Sequence, residues 1–118
     1  MTTETEPTRT TPQHPRVLVN EYYDPFGPDV GCLRQEGITD KKVRVLRSRL
    51  SALNQVLRQG ADTQGFTPVR PRFTGHALCS SQPYVQGSAD SAPLHPTAAG
   101  EMAIAIADQQ GLLQTRNP

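Results

Sequence analysis

No tryptophan occurs among the 118 residues, and aromatic residues make up only 5% of them. A core drawn from this chain must be built from Leu, Val, Ile and Ala, and it is thin. No apolar run comes near the ~20 residues that a bilayer-spanning helix needs, so no membrane span is expected. Charge of one sign is also lacking. The formal net charge is +1 with both signs scattered, which gives no electrostatic footprint for nucleic acid or for an acidic membrane surface. Cysteine is scarce: Cys32 and Cys79 stand far apart, with no second Cys or His at the short spacing of a zinc site. No metal and no cofactor is expected. On the count alone, a single disulfide and two unrelated buried thiols are both open. A bridge would close a long loop, which the chain-entropy model values at about 4 kcal/mol.

The length allows at most one small domain. Residues 1–15, rich in Thr, Glu and Pro, read as a disordered polar tail, and 115–118 as a disordered end. The tail has neither a basic n-region nor an apolar h-region, so it does not read as a signal peptide. Folding is expected of residues 16–114.

Within that span, Arg16 to Tyr23 is a β-branched and aromatic run closed by the turn cluster Asp24-Pro25-Phe26-Gly27-Pro28, and it reads as a strand. Val17, Leu18 and Val19 run without a polar break, which suits a strand covered on both faces, as in a parallel sheet. A loop from Gly27 to Gly37 carries Cys32. Thr39 or Asp40 then caps a long helix predicted to run to about Gly60, with Gly60 or Gly65 ending the region and Val43, Leu46, Leu50, Leu53 and Leu57 as its buried face. Arg44, Arg47, Ser51, Asn54 and Arg58 fall mostly on the other face and read as solvated. Phe66 to Arg70 is a second strand, weakened by Pro68 and Pro71. A Gly/Ser/Pro-rich loop over Thr74 to Leu94 leads to a last helix from Thr97 to Gln110. The order βαβα implies an α/β class with a right-handed crossover and a parallel strand pair. Two strands do not make a stable sheet alone, so the pattern reads as part of a larger layer.

The run Pro93-Leu94-His95-Pro96-Thr97-Ala98-Ala99-Gly100 sets a histidine just before that last helix, with Pro96 suited to the first helical turn. Near the positive end of a helix dipole a second positive charge is disfavoured, which favours the neutral imidazole of a general base. The segment resembles the last motif block of the SGNH, or GDSL-type, hydrolases, in which such a histidine is the base of a serine esterase. Tyr22-Tyr23-Asp24-Pro25-Phe26, Gly31-Cys32, Leu53-Asn54, Phe73-Thr74-Gly75-His76-Ala77-Leu78-Cys79 and Pro83-Tyr84-Val85-Gln86-Gly87 resemble, in order, motifs of its secreted bacterial esterases and lipases. The resemblance covers Val17 to about Leu113. It implies part of a flavodoxin-like three-layer fold, a Cys32–Cys79 disulfide, and His95 as general base and acid. It also implies secretion, for which this N-terminus carries no export signal.

Two departures bear on activity. Many members place an Asp three positions before the histidine to orient its ring; here that position is Ala92, whose backbone carbonyl is the expected substitute, while Asp90 has the wrong spacing. His76 and Asp24 could be taken for a second acid–base pair, but His76 falls in the disulfide-bearing loop and reads as structural. The second departure is the nucleophile. The Gly-Asp-Ser block and the Gly and Asn oxyanion donors of the family are absent, and Gly87-Ser88-Ala89-Asp90 follows no strand. The chain therefore reads as the C-terminal half of such a hydrolase, inactive alone and able to meet an ester only if the N-terminal half is supplied. The alternative is a non-catalytic binding or interaction module that keeps the fold and self-associates through an exposed sheet edge.

Overall fold

The computed structural model describes residues 15–114; the polar tail, Pro15 aside, and the end at 115–118 lie outside the described residues. The order is β1 (Leu18–Asn20), α1 (Gly31–Arg34), α2 (Asp40–Gln64), β2 (Thr67–Val69) and α3 (Ala98–Gln114). The two strands pair in parallel, Leu18 opposite Thr67 and Asn20 opposite Val69. This is a partial α/β fragment of the predicted βαβα order. One short turn of helix, α1, forms inside the expected Gly27–Gly37 loop.

Helix α2 begins where the sequence indicates. The Thr39 hydroxyl accepts the Lys42 N–H at 3.2 Å, satisfying one of the free donors of the first turn. Gly60 is tolerated inside the helix, and the stop comes at Gly65, the second of the two glycines that could end it, whose φ of 74° is the left-handed cap. The buried face also differs from the leucine repeat. Val43, Asn54 and Ala61 are buried, whereas Leu46 and Leu53 are exposed at 46% and 43%. The reason lies in the chain just after β1. There the backbone of Tyr22 needs partners, and Asn54 supplies both, accepting its N–H at 2.7 Å and donating to its carbonyl at 3.0 Å. Glu21, 4% exposed, draws Arg58 and Arg70 onto its carboxylate at 3.0 and 2.7 Å. Asn54 and Arg58, expected on a solvated face, thus hold the helix to the strand.

Burial alone would raise the Glu21 carboxyl, but the hydrogen bonds and charges of Arg58 and Arg70 outweigh it and hold the group below the usual carboxylate range. A hydrophobic cluster of Phe26, Val30, Leu33 and Val43, flanked by Ile38, Leu78 and Cys79, forms a core at the N-terminal end of α2. The Cys32–Cys79 disulfide, with Cα atoms 5.6 Å apart, ties the α1 turn to the 74–94 loop beside it.

Pro68 sits in β2 without breaking the ladder. Thr67 donates to the Val17 carbonyl and Glu21 to that of Val69, so Thr67 and Val69 face β1 while Pro68 faces the outer edge, where its missing N–H removes nothing from the pairing. By the same alternation the N–H and C=O groups of Leu18 and Asn20 point to the far edge of β1 and have no backbone partner among the described residues.

Candidate functional site

Beyond its last residue, β1 runs on into Tyr23, whose ring stacks on Phe73 with centroids 4.4 Å apart. Burial, and Tyr22 beside it, push the Tyr23 phenol up, so it stays a donor; its O–H donates to the Leu94 carbonyl at 2.7 Å. Leu94 has φ 71°, and it is the single non-glycine residue in the left-handed region among the described residues. Its own N–H donates to the Gln86 carbonyl at 2.8 Å, so a costly backbone conformation is fixed from two sides.

His95 follows directly. It is exposed. Its carbonyl accepts the Gln86 N–H at 2.8 Å, and its N–H donates to the Ala92 carbonyl at 3.1 Å. The Gln86 side chain spans the same segment, its Oε1 accepting the Ala92 N–H and its Nε2 donating to the Pro96 carbonyl, both at 3.1 Å. Val85 and Pro96 form an antiparallel bridge. Pro96 therefore lies before the helix rather than in its first turn. Thr97 is the cap, its hydroxyl accepting the Gly100 N–H at 3.1 Å while its own N–H donates to the Tyr84 carbonyl at 2.8 Å. Gly100 is required by this approach, because a Cβ there would collide with the Tyr84 carbonyl oxygen.

The other residues singled out in the sequence are engaged separately. The His76 ring stacks on Tyr84 at 3.8 Å, and its Nδ1 lies 2.8 Å from the Gln82 carbonyl. Asp24 accepts the Phe26 N–H at 2.9 Å and faces Arg47 at 3.4 Å. No acid–base pair forms between His76 and Asp24. Asp90 closes its own turn by accepting the Gly87 N–H at 2.8 Å, and Ser88 donates to Glu36 at 2.8 Å. No hydrogen bond reaches the His95 ring from the described residues. An open groove of ≈ 750 Å³ runs between β2 and α3 past Arg70, Arg72, His76 and Tyr84, and His95 is not part of its wall. No group of three or more metal-ligating side chains occurs among the described residues.

What the fold and site define is an α/β fragment that carries an exposed histidine on a braced loop beyond the carboxyl end of β1, where open α/β sheets take their ligands. The chain is 40% identical over 70 residues to "Lipase 1" of Streptomyces coelicolor, a match that covers 55% of this chain and 26% of the lipase. That is a lipase-like relationship, in which the chain spans about a quarter of its relative. No family model matches the chain, and no solved structure does.

Tyr23 and Gln86 were not legible as site residues. Both lie in runs that carry the resemblance, but each meets the histidine segment through a backbone group, 71 positions away for Tyr23 and 6 and 10 for the Gln86 side chain, and residue type alone does not reveal such a contact.

Proposed function

We propose that residues 16–114 are the C-terminal part of an SGNH (GDSL-type) carboxylic ester hydrolase of the secreted bacterial esterase and lipase kind. The observation that carries this reading is the exposed His95 held at the carboxyl end of a parallel strand, in a chain similar to a lipase. In the complete enzyme a serine from the other part of the domain attacks the ester carbonyl. His95 takes the serine proton and later returns it to the leaving alcohol; the Ala92 carbonyl, which in the isolated chain accepts only the His95 backbone N–H, takes the ring N–H on its second lone pair once the domain is complete. The Cys32–Cys79 disulfide fits an oxidising compartment.

The serine and the oxyanion donors have to come from outside these 118 residues, so the isolated chain is inactive. Assayed alone with p-nitrophenyl acetate, it gives no more turnover than its His95→Ala variant. Hydrolysis by the isolated chain that disappears in His95→Ala would contradict this.

The open edge at Leu18 and Asn20 favours a second reading, a non-catalytic interaction module that pairs through β1. Self-association without any ester chemistry in the completed domain would select it.

A further inference from the structure

The segment that carries His95 is closed on itself by one residue. Gln86 contacts it four times: its N–H reaches the His95 carbonyl and its C=O the Leu94 N–H, its Oε1 takes the Ala92 N–H, and its Nε2 reaches the Pro96 carbonyl. These partners lie three residues before His95, one before, at it and one after. The two backbone contacts are available to any residue at position 86. The two side-chain contacts are not, since they need an acceptor and a donor at the end of a two-carbon stem, which is a primary amide. The Tyr23 hydroxyl adds an independent hold on the Leu94 carbonyl, across the left-handed turn just before the histidine.

We infer that Gln86, seconded by Tyr23, is the positioning residue of His95: its side-chain amide fixes the register of the Ala92–Pro96 segment and so the direction in which the imidazole leaves the backbone. Only the use of the histidine as a base rests on the hydrolase reading; where it is held does not. The Ala92 carbonyl is drawn into the same arrangement, because the Ala92 N–H is pinned by Gln86 while its carbonyl takes the His95 N–H. Without the amide, the strained Leu94 turn has only backbone bonds and Tyr23 to keep it.

Gln86→Met keeps the length and removes both side-chain bonds. By NMR on the full chain, Ala92 amide exchange is expected to rise about tenfold, and the His95 χ1 couplings to move toward rotamer averaging, with the His76 couplings unchanged. Tyr23→Phe, which keeps the stacked ring, is expected to loosen Leu94 and His95 to a smaller degree. Gln86→Glu supplies the decisive control. Below about pH 4 its neutral carboxyl can accept from Ala92 and donate to Pro96, and above that the carboxylate repels the Pro96 carbonyl. Ala92 and His95 amide shifts in Gln86→Glu should therefore match wild type at low pH and depart from it as the pH rises. Unchanged His95 couplings in Gln86→Met, or Gln86→Glu shifts that never depart from wild type, would overturn the inference. In an active completed domain, Gln86→Met lowers kcat and leaves KM. A domain that folds with the brace intact but is silent toward esters would sink the hydrolase reading and leave this one standing.

Discussion

Glu21 shows how one residue sets an element's orientation. Its carboxylate is buried against Arg58 and Arg70, and its folded pKa lies below the ordinary value of 4.5. A depressed carboxyl contributes stability that is fully present above its unfolded pKa and is lost as pH falls through the folded one. Urea midpoints measured between pH 7 and pH 3 should drop in the wild type and drop less in Glu21→Gln, which should already be about 2–3 kcal/mol weaker at pH 7. Equal acid slopes would contradict the assignment. Gly100 makes the second test at this scale. Gly100→Ala forces a methyl against the Tyr84 carbonyl, which is main chain and cannot swing aside, so a loss of about 1–3 kcal/mol and faster Thr97 amide exchange are expected. The Cys32–Cys79 disulfide was legible only through the resemblance to a family, since the two cysteines alone left it open, and His95 was singled out by its local run before the last helix. Glu21 and Gln86 were not legible, since their meaning comes from partners brought in by the fold.

Among the elements, the two strands and the two long helices were readable from composition and caps, and their ends followed local chemistry: Thr39 at one end of α2, Gly65 at the other. The rotation of α2 was readable in part: Val43 is buried and Leu50 and Leu57 half-buried as the stripe predicts, but Leu46 and Leu53 are exposed. Asn54 and Ala61 bury beside Val43, since the polar demands of Glu21 and Tyr22 help to decide which face meets the strand. Leu46 and Leu53 are left exposed together with Val45 and Val56. The disulfide acts at the same scale. With its cysteines 47 positions apart in the sequence, Cys32→Ser combined with Cys79→Ser should cost about 2–4 kcal/mol, read as a lower thermal midpoint. An unchanged midpoint would show that the cluster of Phe26, Val30, Leu33 and Val43 holds that corner unaided.

At the scale of the molecule, the two edges of the sheet differ in the groups they offer. Pro68 gives the outer edge of β2 no N–H at that position, while Leu18 and Asn20 offer the free groups of β1. On the proposed reading as part of a larger hydrolase domain, this edge and the exposed apolar residues on α2 and on α3, such as Met102 and Ile106, would be covered by further strands and helices. In their absence the chain should self-associate, and sedimentation should show Asn20→Pro more monomeric than wild type; a clean wild-type monomer would argue against an available edge. The central claim is that His95 is a general base waiting for a serine. Its most direct measurement is ester hydrolysis by a chimera in which residues 16–114 replace the matching region of the S. coelicolor lipase. The chimera should turn over ester, and its turnover should fall at least about a thousandfold in His95→Ala, with folding unchanged by circular dichroism. A folded chimera that is silent, or one whose turnover survives His95→Ala, would contradict it.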